Sequence, residues 1–200
     1  MENFWAQKIY TPLGFNRENI LEDKKALDVG CGQRKLKGAV GLDINPKSEA
    51  EIIHDFNQIP WPLKENSFDL ILLNQTLEHS HDVLKILGEV HRVAKSGSRV
   101  VIQVPYFRSL DASTDPTHRH FFTSRSLDFV IAGEKLSQAG YVDFQFKKIG
   151  FWYGWPHKSR NSFVGLFKKI IHRFPDFYDR FLSLILPMEC LTWELEVIKQ

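Results

Sequence analysis

The fold is constrained most strongly by two short apolar runs. The first is followed by a glycine loop, and the second ends on an acidic residue. Residues 26–29 (Ala-Leu-Asp-Val) lead directly into Gly30-Cys31-Gly32, and residues 39–44 (Ala-Val-Gly-Leu-Asp-Ile) are closed by Asn45-Pro46. Apolar runs of this length bounded by turn residues are typical of buried strands. Glycines placed directly after a buried strand allow a ligand to approach the backbone.

The rest of the chain alternates between strand-like and helix-like segments. Further strands are predicted at residues 51–56, 68–74, 99–104, 142–149 and 188–198, and helices at residues 82–95 and 123–139, with Asp82 as the cap of the first helix. This alternation predicts an α/β fold. We expect a Rossmann-like, mostly parallel sheet with helices on both faces and an antiparallel last strand.

Length and composition limit the organisation of the protein. The 200 residues suit one domain. We divide it into an amino-terminal arm (1–24), a core (25–149), an aromatic-rich insertion or lid (150–187) and a last strand (188–200). A net charge of only +2 gives no support to a concentrated basic face that would bind nucleic acid. Because neither a signal peptide nor a membrane-spanning apolar run is evident, a cytoplasmic protein is expected.

The position of the acid that ends the second run distinguishes between two classes of nucleotide ligand. Asp43 is placed to accept hydrogen bonds from both hydroxyls of a ribose. A dinucleotide-binding loop needs a third glycine, where this chain has Lys35, and an acid about 20 residues further on. Asp43 comes only 13 residues after Gly30. S-adenosylmethionine has no pyrophosphate and needs neither feature, so the spacing favours it over a nicotinamide cofactor.

Six segments in the same order resemble the type 11 branch of the class I S-adenosylmethionine-dependent methyltransferases. They are residues 28–32, 41–44, 54–56, 67–71, 77–79 and 89–97. The resemblance covers about residues 25–145 and implies methyl transfer from S-adenosylmethionine. One departure is the short connection of residues 31–38, since a parallel crossover usually needs a dozen or more residues. We therefore expect a single turn or a loop in place of the usual helix.

The resemblance also implies which residues contact the cofactor. The cradle of the methionine end would consist of Asp28, Gly30, Cys31 and Gly32. Asp43, followed by Ile44, would hold the ribose. Asp55 and the backbone of Phe56 would face the adenine, and Asn74 would line the pocket at the end of the fourth strand.

Three histidines are candidates for catalysis. His79, beside Glu78, has the reference pKa of a general base, although the pair also suits a helix start or a pocket wall. His118 and His120 would point the same way in an extended segment. We favour a role in lining the substrate pocket over a structural cap. A metal site with Asp115 is the least favoured reading, and no metal is expected because the sulfonium supplies the electrophile.

The aromatic-rich segment leaves several partners open. Its apolar stripes, interspersed with Lys168, Lys169 and Arg173, fit helices packed on the sheet or on a second copy of the chain. They also fit a lid over an apolar acceptor or a helix lying on a membrane surface. The acceptor is not readable, although a small molecule, glycan or lipid intermediate is favoured over nucleic acid. The alternative function is a non-catalytic S-adenosylmethionine-binding module or partner subunit.

Overall fold

The computed structural model describes residues 24–154 and 162–199, so nearly all of the predicted amino-terminal arm lies outside the described residues. The strands are β1 (Ala26–Val29), β2 (Val40–Asp43), β3 (Ile52–Ile53), β4 (Phe68–Asn74), β5 (Ala94–Pro105), β6 (Gln145–Tyr153) and β7 (Cys190–Ile198). The α-helices are α1 (Val83–Val93), α2 (Leu110–Thr114), α3 (Ser162–Arg173) and α4 (Pro175–Arg180), with 3-10 helices at Leu77–His79, Lys135–Ala139 and Leu182–Leu184. None of the helices in these ranges has the length and apolarity needed to cross a bilayer.

The strands form one mixed sheet in the order β3-β2-β1-β4-β5-β7-β6. The first five strands pair in parallel, and β7 runs antiparallel between β5 and β6. The predicted α/β fold with an antiparallel last strand is confirmed. Because β1, β4 and β5 are adjacent and parallel, the segments that follow them meet at one edge of the sheet, where ligands bind in such folds.

The connection from β1 to β2 contains turns and no helix, which is the shortened crossover predicted from the sequence. A buried carboxylate organises it, because Oδ2 of Asp28 accepts a hydrogen bond from the backbone N–H of Leu36 at 2.7 Å. The N–H of Ala39 then donates to the carbonyl of Leu36 at 3.0 Å. This compact loop leaves the end of β1 uncovered by a helix.

Helix α1 begins at the predicted cap but ends two residues earlier than predicted. Oδ1 of Asp82 accepts a hydrogen bond from the N–H of Lys85 at 3.1 Å, which satisfies one of the free donors of the first turn. The helix ends at Val93 because Ala94 is already extended and pairs with Phe68. Nζ of Lys95 then binds both oxygens of Asp69, so β5 starts where the helix was expected to continue.

The helix predicted at residues 123–139 is wrong. The segment consists of turns followed by the short 3-10 helix Lys135–Ala139. The backbone N–H and the hydroxyl of Ser124 are both bound by Oδ2 of Asp179, at 3.0 and 2.7 Å. Gly133 has a φ of +84°, which a right-handed helix cannot contain. Local periodicity was outweighed here by a contact distant in the sequence.

The aromatic-rich segment packs on the β6 side of the sheet. Strand β6 continues to Tyr153, so the first four residues of the predicted insertion belong to the sheet. Helix α3 directs Ile171 into the core, and Tyr178 of α4 is fully buried. Oδ1 of Asp179 accepts hydrogen bonds from the hydroxyls of Tyr106 and Tyr153 at 2.9 and 2.8 Å. These contacts fix α4 against the sheet.

Candidate functional site

A cavity of about 680 Å³ opens at the carboxyl edge of the sheet. Its wall includes the glycine loop after β1, the end of β4, the 3-10 helix Leu77–His79 and the start of β7. The lining residues are Asp28, Gly30, Cys31, Gly32, Gln33, Arg34, Leu36, Leu72, Asn74, Gln75, Glu78, His79, Gln103, Asp111, Thr114, Asp115, His118, Glu189 and Cys190. The cavity therefore combines segments that are far apart in the sequence.

The two glycines of the loop are required for different structural reasons. Gly30 has a φ of +67°, and a Cβ there would lie 2.5 Å from Oγ1 of Thr76, so the neighbouring loop excludes any side chain. Gly32 has a φ of +54°, but a Cβ there would meet no atom within 4 Å. Gly32 thus leaves open space beside the backbone, as close approach of a ligand requires.

Asp28 places a buried carboxylate at the glycine-loop end of the cavity. Only 3% of the residue is exposed, and burial raises its pKa to about 7, although the Leu36 N–H and the charge of Lys35 oppose that shift. The nearby Asp43 raises the pKa of Asp28 further. A buried carboxylate of this kind is stabilised in its charged form by a cationic partner, such as the ammonium of an amino acid.

Asp43 supports the loop from the neighbouring strand. Its Oδ2 accepts a hydrogen bond from the N–H of Gly32 at 2.8 Å, and its Oδ1 accepts one from the N–H of Asn45 at 2.7 Å. Each oxygen keeps a further lone pair, so both can still accept from ligand hydroxyls. Beside it, Ile44 is 60% exposed at the end of β2, which provides an apolar surface for a flat ring.

The predicted cofactor residues fall into two groups. Residues Asp28, Gly30, Cys31, Gly32 and Asn74 line the cavity, whereas Asp43, Ile44, Asp55 and Phe56 lie outside its lining. The second group follows β2 and β3, and Gly32 joins it to the cavity through its bond to Asp43. Oδ1 of Asp55 accepts from the N–H of Asn57 at 2.9 Å. The predicted ribose and adenine contacts stay predictions.

Asn74 ends β4 with an unused acceptor. Its Oδ1 is buried and has no hydrogen-bond partner among the described residues. Buried polar atoms are normally paired, so such an oxygen in a cavity wall is suited to a ligand donor. Together with Gly32 and Asp28, it makes this end of the cavity compatible with a ligand that carries both amino-acid and nucleoside groups.

The cavity wall also holds a cluster of Glu78, His79 and His118. Glu78 is 1% exposed, and burial raises the pKa of its carboxyl to about 8. Nε2 of His118 lies 4.0 Å from Oε1 of Glu78, and the centroids of the two imidazole rings are 4.7 Å apart. Burial, and secondarily the neighbouring His118, hold the pKa of His79 below its usual value, so His79 is neutral near pH 7.

His118 and His120 do not face the same space, contrary to the expectation for an extended segment. His118 lines the cavity, whereas Nε2 of His120 donates to the backbone carbonyl of Ser80 at 2.9 Å and lies outside the cavity lining. His120 thereby connects its loop to the segment that follows Leu77–His79. Catalysis by His79, His118 or His120 stays a prediction, but only the first two are placed where they could contact a substrate.

Glu78 was missed as a site residue in its own right. From the sequence it is only the neighbour of His79. The available signal was topological, because β4 and β5 were both predicted as parallel strands and Glu78 and His118 follow them. The carboxyl ends of adjacent parallel strands meet at one edge, which predicts proximity of the two segments.

The predicted aromatic lid over the pocket is not found in the described part of the chain. Among described residues, the cavity lining includes Glu189 and Cys190 but none of residues 162–187. The lining also contains five carboxylate side chains, namely Asp28, Glu78, Asp111, Asp115 and Glu189. The described lining therefore contains no Phe, Tyr or Trp, and a lid from the rest of residues 150–187 stays a prediction. The described helices of this segment are bound elsewhere: Asp179 of α4 accepts from the hydroxyls of Tyr106 and Tyr153, and His172 of α3 accepts from the N–H of Tyr153.

Comparison with known proteins shows which proteins this chain resembles. Residues 27–102 match the family model described as a methyltransferase domain. The demethylmenaquinone methyltransferase of Lysinibacillus sphaericus is 28% identical over 167 residues, an alignment covering 72% of this chain and 65% of the relative. The chain therefore spans less than two thirds of that relative's length.

Solved structures show the same fold at low identity. A S-adenosylmethionine-dependent methyltransferase from Archaeoglobus fulgidus has a TM-score of 0.57 at 16% identity, covering 98% of this chain and 94% of the other. One from Aquifex aeolicus has a TM-score of 0.56 at 16% identity, covering 98% and 92%. The predicted resemblance to class I methyltransferases, with S-adenosylmethionine as their cofactor, is confirmed.

Proposed function

Since residues 27–102 match the family model of a methyltransferase domain, we propose that the protein transfers a methyl group from S-adenosylmethionine to a small polar acceptor. One observation carries the proposal: a single cavity joins the glycine loop to the cluster of Glu78, His79 and His118. A cofactor on the loop and an acceptor beside the cluster would share this space. Transfer between them would depend mainly on their relative positions.

The chain's own residues provide the positioning. S-adenosylmethionine supplies an electrophilic methyl group on its sulfonium. Asp28 would bind the ammonium of the methionine end, and Gly32 would leave room for the ligand beside the backbone. Asp43 would accept from the ribose hydroxyls with its remaining lone pairs, and Asn74 would accept from a ligand donor. Asp55 and Phe56 would face the adenine beyond β3.

The charges of the residues that line the cavity indicate which class of acceptor it could bind. Among the described lining residues, the carboxylates of Asp111, Asp115 and Glu189 would repel the phosphates of a nucleic acid. A neutral or cationic small molecule that carries hydroxyl groups suits such a wall, which includes intermediates of glycan synthesis. The compound named for the relative, demethylmenaquinone, supports a small-molecule acceptor as a class.

The test uses the methyl label itself. The purified chain would be incubated with S-adenosylmethionine carrying a deuterated methyl group and with a cell extract separated by molecular size. We expect label in a small molecule, seen by mass spectrometry, together with release of S-adenosylhomocysteine. The matched control is Asp43→Asn, which should transfer less label at a limiting cofactor concentration. Label confined to nucleic acid would contradict the proposed acceptor class. Cofactor binding without transfer would favour the alternative of a non-catalytic module.

A second proposal concerns the outer surface of α3, of α4 and of the residues that follow α4 as far as Leu186, which we name the apolar patch. Its members are large apolar side chains that are 47–78% exposed: Leu166, Ile170, Phe174, Phe177, Phe181, Leu184, Ile185 and Leu186. Patches of this kind normally contact a partner. We propose an anionic lipid surface as that partner, because Lys169, Arg173 and Arg180 are exposed in the same two helices. A homodimer is the alternative outcome, and a cytoplasmic location stays a prediction.

A further inference from the structure

We propose that Glu78, His79 and His118 form a binding site for one divalent transition-metal ion of the zinc or iron(II) type. The site lies in the wall of the cavity that the glycine loop also lines. The inference deepens the proposed function and rests on it only for the role of the ion toward the acceptor. It departs from the expectation that no metal is present.

The donor set has the chemistry and the spacing that such an ion requires. One nitrogen of each imidazole and one carboxylate oxygen of Glu78 all lie within 4.8 Å of one another. Ligand atoms at roughly 2.0–2.2 Å from an ion are roughly 3–3.6 Å apart, so side-chain rotations would close the site. Two imidazoles with one carboxylate bind catalytic zinc and non-haem iron and leave coordination positions open.

The hydrogen bonds of both imidazoles leave the correct nitrogen free. Nδ1 of His118 is 3.0 Å from the carbonyl oxygen of Ala112, which can only accept, so Nδ1 carries the proton and Nε2 keeps its lone pair. The hydroxyl of Thr117 donates to Oδ1 of Asp115 at 2.6 Å. That hydroxyl must then accept from Nδ1 of His79, 2.9 Å away. Nε2 of His79 also keeps its lone pair.

This arrangement is the one found around metal-binding histidines. Their second ring nitrogen usually donates to a carbonyl, a carboxylate or water, which fixes the ring and makes the ligand nitrogen more basic. Here a carbonyl orients His118, and a hydroxyl backed by a carboxylate orients His79. The sequence suggests a metal site of Asp115 with His118 and His120. The structure instead gives Asp115 an orienting role and supplies Glu78 as the carboxylate ligand.

Glu78 provides the independent observation that points to a cation. It is 1% exposed, and neither carboxylate oxygen has a hydrogen-bond partner among the described residues. A buried carboxylate without hydrogen bonds or an opposite charge is costly. The N–H groups of Arg119 and His120 hold this segment in place through the backbone carbonyl of Glu78, at 2.9 and 3.3 Å. Both oxygens thus lie beside the imidazoles without a hydrogen-bond partner among the described residues, and a bound cation would supply one.

An ion at this position would act on the acceptor. Three protein ligands leave at least one open position, and all three residues line the cavity. An acceptor oxygen bound there would be held in the space that leads to the glycine loop. The acceptors selected in this way are small molecules with a hydroxyl or carboxylate able to coordinate the ion.

The test measures metal binding directly, in the full chain without a histidine tag. The protein is stripped with a chelator, dialysed and titrated with Zn²⁺ in a calorimeter, and the visible spectrum of the Co²⁺ form reports imidazole ligation. Three variants remove ligands conservatively: Glu78→Gln, His79→Asn and His118→Asn. Asn preserves a donor near the position of Nδ1 and removes Nε2. The matched control, His120→Gln, preserves the donor to Ser80 outside the cavity.

We expect one equivalent of Zn²⁺ in the wild type and in His120→Gln. Each of the three ligand variants should weaken binding by at least about 100-fold, the upper end of what loss of an orienting partner costs. Absence of stoichiometric metal overturns the inference. Equal binding by wild type, Glu78→Gln and His118→Asn also overturns it, because the ion would then be adventitious. Cofactor affinity measured on the stripped protein separates failure of this site from failure of the proposed methyl transfer.

Discussion

Asp43 connects two functions within one side chain. It holds the Gly32 and Asn45 backbone N–H groups at 2.8 and 2.7 Å, and it is the residue predicted to accept the ribose hydroxyls. Replacing it with Asn keeps one oxygen for the backbone and removes the charge. We expect Asp43→Asn to weaken S-adenosylmethionine binding by about 1.5–3 kcal/mol, because charge-assisted hydrogen bonds are lost.

Calorimetry on wild type and variant measures this difference. The matched control is Glu49→Gln, which removes an exposed acid near the same loop and should leave the affinity unchanged. Thermal unfolding would establish that Asp43→Asn is folded. An Asp43→Asn protein that is folded and binds the cofactor as tightly as wild type contradicts the ribose assignment.

Asp28 makes the stability of the unliganded protein depend on pH. Burial raises its pKa from 3.8 in an unfolded chain to about 7 in the folded one. Between these values the folded state retains a proton that the unfolded state has lost, so stability falls as the pH rises and levels off above about 7. The shift corresponds to a penalty of at most about 4 kcal/mol at pH 8.

Asp28→Asn removes that penalty and leaves an oxygen for the Leu36 N–H. We expect the variant to gain stability relative to wild type as the pH rises from 4 to 8. Urea unfolding of both proteins at several pH values gives the difference between their free energies of unfolding. The contributions of the other titrating groups cancel in that difference. A difference that does not change with pH would show that Asp28 is not protonated in the folded protein. The same substitution should weaken cofactor binding, since the ammonium partner is lost.

At the scale of elements, the glycine loop offers a matched pair of substitutions. Gly30→Ala places a Cβ 2.5 Å from Oγ1 of Thr76 and keeps a positive φ, so both packing and backbone are strained. Gly32→Ala meets no atom within 4 Å and carries only the strain of its positive φ. We expect Gly32→Ala to lose about 1–2 kcal/mol of stability and Gly30→Ala to lose more.

The two variants should differ in binding as well. Gly32→Ala remains folded, but its methyl group occupies the open space beside the loop, so we expect a clear loss of S-adenosylmethionine affinity. Thermal unfolding and calorimetry on both proteins check the pair. Equal destabilisation by both substitutions would contradict the assignment of Gly30 to packing and of Gly32 to the ligand.

Elements specified by local sequence could be predicted, and elements specified by distant contacts could not. β1, β2 and β4 are apolar runs ended by turn residues, and α1 has a capping Asp82 and a regular apolar face. The 123–139 segment has a helical pattern, yet Asp179 binds Ser124 from a helix more than fifty residues away. No window around Ser124 contains that information.

The same distinction applies to the site. The glycine loop and Asp43 were predictable because their spacing along the chain encodes their geometry. The cluster of Glu78, His79 and His118 was not, because it depends on the loops after β4 and β5 folding onto each other. Nothing local indicates that His118 turns toward Glu78 while His120 turns toward the Ser80 carbonyl.

At the scale of the whole molecule, the apolar patch lies apart from the cavity. Ile171 of α3 is buried against the core, whereas Leu166 and Ile170 are 58% and 47% exposed on the same helix. We expect the protein to float with vesicles that contain anionic lipid and to float less with neutral vesicles or at high salt, since the exposed basic residues contribute by charge.

The matched variants for this prediction are Ile170→Ser, within the patch and 47% exposed, and Ile44→Ser, an isoleucine beside Asp43 that is 60% exposed. Only the first should reduce flotation. Light scattering without lipid examines the alternative. A stable dimer that Ile170→Ser dissociates, without flotation of the wild type, would contradict the lipid proposal in favour of self-association.

The central claim is that this chain binds S-adenosylmethionine across its glycine loop. Calorimetric titration of the full chain with S-adenosylmethionine, and separately with NAD, tests it most directly. The account predicts one cofactor bound per chain, with affinity reduced in Asp43→Asn and Gly32→Ala, and no measurable heat with NAD. Tight binding of NAD with none of S-adenosylmethionine would contradict it.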